Sequence, residues 1–292
     1  LADNNKILCL DNYFSSDISN ISDIYDKSNF SFYEKDIIEK LKINEKIDLI
    51  YNLACPASPV HYQSNPVKTI QTNVVGSINL LELAKKNNCK ILQSSTSEIY
   101  GDPEQHPQNE SYWGNVNPIG IRSCYDEGKR CAETLFFEYY RIYNLNIKVV
   151  RIFNTYGPGM KMNDGRVVSN FIIQALKNQD ITVYGDGSQT RSLCFIDDLV
   201  EGLIKMMNSK KQIVGPINLG SNNEITVLDL AEKIIYLSNS KSKIIFKKLP
   251  SDDPKKRKPD IRQANKQLNW KPKIDLEQGL SKTISYFNKL LV

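Results

Sequence analysis

Tyr125 and Lys129, four residues apart, are the pair in this chain whose types and spacing most directly specify chemistry. Both fall in a segment of helical character. Four residues is about one turn, so the two side chains leave the same helix face. An ammonium beside a phenol favours the phenolate, so the spacing predicts a tyrosine with a lowered pKa. Such a group takes a proton from an alcohol near neutral pH. Upstream, Ser94-Ser95-Thr96-Ser97-Glu98-Ile99-Tyr100-Gly101 closes an apolar run with hydroxyls and one carboxylate. The combination points to alcohol oxidation by a nicotinamide cofactor. A tyrosine and lysine at this spacing are by themselves common on helix surfaces, and it is the surrounding residues that give the pair weight.

These side chains need a rigid frame, and the apolar patterning supplies one. Residues 6–10 read as a buried strand ending at Asp11-Asn12, and residues 36–46 have helical character. A second strand over 47–53 stops at Ala54-Cys55-Pro56. A long amphipathic helix is predicted over 65–87, with Pro66 near its first turn. Strand 89–93, helix 124–144 and strand Ile147–Ile152 follow. Strands apolar on both faces, alternating with helices, predict a parallel sheet covered on both sides. After Asn154 the pattern loosens into helices over 166–178, 197–208, 226–237 and 274–289, with short strands at Ile181–Tyr184 and Ile217–Leu219 and a charged, proline-containing loop over 250–259. The expected fold class is α/β, a doubly wound, Rossmann-like parallel sheet with a small C-terminal substrate lobe.

Composition removes several alternatives. A chain of 292 residues with 40% hydrophobic and 24% charged residues has the make-up of a globular protein, long enough for one large α/β domain with a small lobe. Its basic residues, net charge +5, are scattered except for residues 255–258. That run reads as a solvated loop or small-phosphate contact, so nucleic acid is not expected. No apolar run approaches the ~20 residues of a membrane helix. The six cysteines form no CxxC pair and only two histidines are present, so neither a metal site nor a disulfide framework is expected. Free thiols suit a reducing, cytoplasmic setting.

Taken together, the motifs resemble the extended short-chain dehydrogenase/reductase family, and within it the UDP-glucuronate decarboxylase branch. The matching stretches are residues 53–62 (LACPASPVHY), 95–102 (STSEIYGD), 112–120 (YWGNVNPIG), 122–130 (RSCYDEGKR), 151–158 (RIFNTYGP), 164–171 (DGRVVSNF) and 183–192 (VYGDGSQTRS), then Asp252-Asp253-Pro254 and residues 257–260 (RKPD). The resemblance covers nearly the whole chain. One departure is large. The family opens with a strand and a glycine-rich turn that meets the cofactor pyrophosphate, whereas the first glycine here is Gly76. The strand over 6–10 matches the family's second strand, so the first strand and glycine loop are absent. The chain is expected to be a partial record of a longer enzyme. Ile121 stands where an acidic residue is expected.

The resemblance implies residues 1–153 as an NAD-binding domain, N-terminally incomplete, and 154–292 as mainly a substrate-binding lobe with segments returning to the main domain. It implies oxidation of UDP-glucuronate at C4 by NAD, loss of CO2 from the keto acid, and return of hydride to give UDP-xylose. Thr96 bonds the C4 oxygen, Tyr125 is the base and Lys129 its partner. Ser97 stands where 4,6-dehydratases carry an acidic Asp, and it suits a substrate carboxylate. Glu98 places a water or proton, and Arg191 meets the pyrophosphate or carboxylate. Asn154, Arg166, Tyr184, Gln189 and Arg257 match positions that hold the UDP-sugar. For the cofactor, Asp11 meets the adenosine ribose and so favours NAD over NADP. Asn12 and Phe14 flank adenine, Asp36 and Ile37 are further adenine contacts, Leu53, Ala54 and Ala57 form a wall, and Asn73 lies on the long helix. The helices over 65–87 and 124–144 match those that pair across a two-fold axis, implying a homodimer with a four-helix interface. The readings kept beside this one are a nucleotide-sugar 4-epimerase, a 4,6-dehydratase and a non-catalytic dinucleotide-fold binding protein.

Overall fold

The computed structural model describes residues 5–248 and 256–291. Its first strands are β1 (Ile7–Asp11), β2 (Phe30–Glu34), β3 (Leu49–Asn52), β4 (Lys90–Thr96) and β5 (Ile147–Ile152). Shorter strands follow: β6 (Thr155–Tyr156), β7 (Ile181–Tyr184), β8 (Thr190–Ser192), β9 (Cys194–Phe195), β10 (Ile217–Leu219), β11 (Glu224–Thr226), β12 (Ile244–Lys247) and β13 (Lys256–Arg257). The central sheet is parallel with order β10-β5-β4-β3, and β1-β2 is a separate parallel pair. Within each of these sheets the strand ends therefore point the same way.

The helices are α1 (Pro59–Ser64), α2 (Pro66–Gln71), α3 (Ser77–Asn87), α4 (Ser123–Tyr143), α5 (Val167–Leu176), α6 (Ile196–Met207), α7 (Val227–Leu237), α8 (Arg262–Leu268) and α9 (Leu276–Leu291). Neighbouring strand residues point to opposite faces, and here both faces are buried. Ile91 and Val149 pack with Leu81, Ala84 and Phe136 beneath α3 and α4. Their neighbours Leu92 and Val150 pack with Leu203, Met206 and Trp270 on the other side. Each fully buried side chain of this size contributes roughly 1.5–3 kcal/mol, which is what holds α4 at a fixed height against β4. A third cluster, including Phe171, Ile181, Leu230 and Phe287, forms the interior of the C-terminal part. Among the described residues no helix is long and apolar enough to cross a membrane.

Three expectations change. Residues 36–46 form turns and not a helix, because the Asn79 side chain takes the carbonyls of Ile37 and Glu39 that a helix would use. The predicted single helix over 65–87 is interrupted. Asn65, ahead of Pro66, leaves helical geometry and caps α2 through the Lys68 N–H, and a π-helical turn at Thr72–Gly76 separates α2 from α3. Gly76 packs directly on Ile37, and a Cβ there would stand 2.4 Å from Ile37 Cδ1 and push that side chain aside. In the expected loop over 250–259, Lys256 and Arg257 are strand β13, paired parallel with β8, while residues 250–255 lie outside the described residues.

Several helices stop on asparagine in the left-handed region: Asn88 after α3, Asn144 after α4, Asn178 after α5, Asn239 after α7 and Asn269 after α8. Asparagine tolerates this conformation better than other residues with a Cβ, and it does here what glycine commonly does.

Candidate active site

The site begins at the C-terminal end of β4. Thr96 is the N-cap of a one-turn helix, Ser97–Tyr100, with its hydroxyl oxygen accepting the Glu98 N–H at 3.2 Å. The turn is closed by Gly101 at φ 63°, where a Cβ would overlap the Asn115 carbonyl at 1.9 Å. That geometry aims Ser97 and Glu98 in fixed directions over the sheet edge. From the side, α4 brings Tyr125 and Lys129, 5% and 3% exposed, to the same edge.

The Lys129 ammonium lies 5.9 Å from the Tyr125 ring centroid and donates to the Ser94 carbonyl at 2.8 Å. Thr96 hydrogen-bonds Tyr125, and Arg166 is close enough for its charge to favour the phenolate. The expectation of a lowered tyrosine pKa is nevertheless overturned. Burial dominates and pushes the Tyr125 phenol above its ordinary value. Burial likewise lowers Lys129, partly opposed by Cys55 and Glu133. The spacing of the pair was legible in the sequence, but the depth of its burial was not. The Tyr125 ring stacks on Tyr62 of α1 at 4.9 Å and 11°. The Tyr62 hydroxyl is buried and has no hydrogen-bond partner among the described residues, and its phenol is pushed up to about 12 by burial.

One turn beyond Thr96 the character changes. Both arms of Arg257 grip the Glu98 carboxylate, one of them at 2.6 Å, and Arg257 also donates to Ser97 Oγ at 3.1 Å. Arg122, just ahead of α4, adds a third bond to Glu98 at 2.5 Å. Burial works against the Arg257 charge and lowers its pKa to about 10, opposed only in part by Tyr62.

At the ends of β1 and β3 lie the residues expected to meet a dinucleotide. Asp11 Oδ1 accepts the Tyr13 N–H and Ser16 hydroxyl, each at 2.7 Å, which sets the turn after β1. Asn12 donates to Asp36 at 2.8 Å and accepts the Phe14 N–H at 3.1 Å. Asp36 is desolvated, yet bonds from Lys68, Ile38 and Asn12 hold it below the usual carboxylate range. The Ile37 side chain is buried in the core cluster beside α3. Phe14, Leu53 and Ala57 are exposed and Ala54 is half-buried. Asn73 donates to Cys55 Sγ at 3.2 Å and to the Thr69 carbonyl, while its Oδ1 is buried with no partner among the described residues.

The remaining expected residues are more scattered. Asn154 follows β5, and Arg166 pairs with Asp164 at 2.9 Å. Tyr184 is exposed, and its carbonyl accepts from Gln189 at 2.6 Å. Arg191 stands opposite Arg257 in the β8–β13 register and donates to the Thr190 carbonyl at 2.9 Å. Ile121 is exposed, so its departure from an acidic residue has no burial cost. Sequence reading missed Arg122 and Tyr62 as site residues. A search for the cations able to hold Glu98 would have raised Arg122, three residues before Tyr125. Tyr62 carried no sequence signal beyond its place in residues 53–62. Among the described residues no cluster suited to a metal ion is found.

Comparison with known proteins places this geometry in context. Residues 1–283 match the family model described as GDP-mannose 4,6 dehydratase. The chain is 51% identical to UDP-glucuronic acid decarboxylase 4 of Arabidopsis thaliana, over 99% of this chain and 64% of that protein, so it spans less than two thirds of this relative. It is 50% identical to UDP-glucuronic acid decarboxylase 1 of Danio rerio, over 100% of this chain and 69% of that protein. Among solved structures, UDP-glucuronic acid 4-epimerase from Bacillus cereus, in complex with UDP-glucuronic acid and NAD, aligns with a TM-score of 0.84 at 27% identity, covering 97% of this chain and 91% of the other.

Proposed function

The chain belongs to the family whose model is described as GDP-mannose 4,6 dehydratase, and on that premise we propose that it decarboxylates UDP-glucuronate to UDP-xylose with NAD recycled in each turnover. The observation that carries this reading is the Arg122–Glu98–Arg257 cluster, placed two residues beyond Thr96 and beside Tyr125. A paired guanidinium grip that holds a protein carboxylate also suits the carboxylate of a uronic acid. The decarboxylase relatives support the same reading.

The residues present fit a dinucleotide. Asp11 ends β1 beside a turn fixed by its own carboxylate, and the orphaned Asn73 Oδ1 supplies a buried acceptor next to Cys55. Asp11, Asn12, Phe14 and Asp36 would hold the adenosine end, with Leu53, Ala54, Ala57 and Asn73 along the middle. Tyr125 and Lys129 would face the nicotinamide. When bound, NAD accepts hydride from C4 of the sugar and later returns it.

The protein's own groups do the rest. Thr96 and Tyr125 hold the C4 hydroxyl, and Tyr125 receives its proton as the carbinol becomes a ketone. Lys129 supplies the positive charge that offsets the desolvation of the phenolate. In the resulting β-keto acid the C5–C6 bond breaks, CO2 leaves, and the electron pair becomes an enolate on the C4 oxygen, where Thr96 and Tyr125 stabilise it. Glu98, set by Arg122 and Arg257, governs proton delivery to C5, and Ser97 orients the carboxylate. Asn154, Arg166, Tyr184, Gln189 and Arg191 would hold the nucleotide side of the substrate.

Two broader readings accompany this. Residues 1–153 act as the cofactor domain and 154–292 mainly as the substrate lobe, a division supported by the separate core around Phe171 and Leu230. Two copies pair through α2, α3 and α4, supported by exposed Val67 and Ile70 on α2, Val75 in the π-helical turn and Ile78 on α3. Free thiols at all six cysteines agree with a reducing compartment such as the cytoplasm. The deciding experiment incubates the protein with UDP-glucuronate and NAD and follows products by mass spectrometry. UDP-xylose with CO2 is expected. UDP-galacturonate, or no product, would overturn the decarboxylase reading.

A further inference from the structure

Behind the site lies a buried polar chain that touches none of the reacting positions. Glu133 stands one turn after Lys129 on α4. Its Oε1 accepts the Ser95 hydroxyl at 2.5 Å and Arg151 Nε at 3.0 Å, and its Oε2 accepts Arg151 Nη2 at 2.8 Å. Arg151, on β5, donates onward to the Tyr100 hydroxyl at 2.9 Å and the Glu110 carbonyl at 3.1 Å. Tyr100 donates to Asn218 Oδ1 on β10 at 2.8 Å. Asn218 Nδ2 donates to the carbonyls of Gln108 and Asp260, and the backbone of Gln108 is bonded to Lys258 and Asp260 on either side. Glu133, Ser95, Arg151, Tyr100 and Asn218 are all 9% exposed or less.

We propose that Glu133, Arg151, Tyr100 and Asn218 form a positioning relay that fixes the Tyr125–Lys129 half of the site relative to the strand bearing Arg257. The proposal rests on Tyr125 and Lys129 acting as the base and its partner. Its one end is the helix turn of Lys129 together with Ser95, the residue before Thr96. Its other end is the Lys258–Asp260 backbone beside Arg257. A core built only for stability would gain as much from apolar groups of the same volume, because two charges must be desolvated to make the pair. The network instead joins α4, β4, β5, β10 and the segment after β13 through directional bonds, and such bonds fix position more sharply than apolar packing.

The relay also carries charge. Lys129 faces the Cys55 thiol from the loop after β3, Tyr125 and Glu133 from its own helix, and the Ser94 carbonyl from β4. Burial pushes the Cys55 thiol up, so it is neutral and Glu133 is the negative charge that sustains the ammonium. Arg151 reaches Lys129 through Glu133.

The test uses Tyr100→Phe and Glu133→Gln in the whole protein, read on nicotinamide reduction as well as CO2. Tyr100→Phe keeps the ring and removes only the link between Arg151 and Asn218. It is expected to lower kcat about tenfold with KM within about twofold, since misplacement acts on the transition state. Glu133→Gln is expected to move both limbs of the kcat pH profile acidward by about 1 unit, because removing a negative charge favours both phenolate and neutral amine. If Glu133→Gln does not fold, Glu133→Gln/Arg151→Met removes both charges, and the acidward shift is expected to be smaller because the lost cation partly cancels the lost carboxylate. Wild-type kcat in Tyr100→Phe, or an activity loss in the Glu133 variants with no shift of the pH profile, would overturn the relay. Nicotinamide reduction is shared by decarboxylase and epimerase chemistry. A wild type that reduces NAD without releasing CO2 would therefore remove the decarboxylase reading and still leave the relay testable.

Discussion

Two halves of one strand end behave in opposite ways. Around Thr96, Tyr125 and Lys129 the site is dry, and burial moves both titratable groups toward their neutral forms. Two residues further on, around Glu98, Arg122 and Arg257, opposed charges grip one another at hydrogen-bond distance. Desolvation in the first half raises the cost of the phenolate until a positive charge is brought to it. Ion pairing in the second holds the Glu98 carboxylate in place between two guanidinium groups. One region sets the protonation of a buried phenol and the other fixes the place of a carboxylate, and the reaction proposed above would use both.

That contrast can be broken at its strongest point first. Tyr125→Phe removes the proposed proton acceptor and should lower kcat on the order of 10³-fold for both nicotinamide reduction and CO2 release; a variant that still reduces NAD would show that another group takes the proton. Glu98→Gln acts on the charged half alone. CO2 release should fall on the order of 10²-fold while nicotinamide reduction persists and NADH accumulates, which stopped-flow absorbance alongside CO2 trapping would reveal. Equal loss of both signals would mean that the halves are not separable. Arg122→Lys keeps the charge and loses the planar fork. KM for UDP-glucuronate should rise about tenfold with a smaller change in kcat, and an unchanged KM would remove Arg122 from carboxylate recognition.

The smallest effect concerns a desolvated cation that belongs to neither half. Lys148, at the opposite end of β5, is fully buried, donates to the carbonyls of Lys210 and Ile213 at 2.7 Å each, and has its pKa lowered to about 8 by burial and by Lys90. Its folded value lies below the ordinary 10.5. Between these values the unfolded chain holds a proton that the folded chain has released, so this group's contribution to stability rises with pH across that window. Urea midpoints of the wild type should rise from pH 8 towards 10 relative to Lys148→Met, with no matching change in kcat. A parallel slope in the two proteins would show that Lys148 titrates as it does in water.

Much of this was legible in the sequence, for reasons that differ by residue. The helix holding Tyr125 and Lys129, strands β4 and β5 and the fold class followed from apolar periodicity, which burial on both faces enforces. The region over 36–46 misled because its helical pattern is answered by Asn79, a residue about 40 positions away. The break over 65–87 lies in a π-helical turn packed on Ile37 through Gly76, a long-range contact that spacing along the chain does not encode. At the site, Tyr125 and Thr96 were readable from type and spacing. Arg122 and Tyr62 were not, because their roles arise from contacts to Glu98 and Tyr125 across the fold. The pKa of Tyr125 was misjudged in sign because charge proximity is visible in a sequence and desolvation is not.

The left-handed asparagines that end five helices have a bearing on how this protein can change. Each keeps a Cβ in a conformation that glycine adopts without cost, so each is a place where one substitution can raise stability by about 0.5 kcal/mol. Asn178 is the exception, since its side chain accepts the Lys241 N–H at 2.9 Å and would be missed. The other four, Asn88, Asn144, Asn239 and Asn269, end helices without contributing to the strand ends where the chemistry is gathered. They form a reserve of evolvability: mutations that reshape the catalytic edge at some loss of stability can be tolerated in a background where these helix ends have first been relaxed.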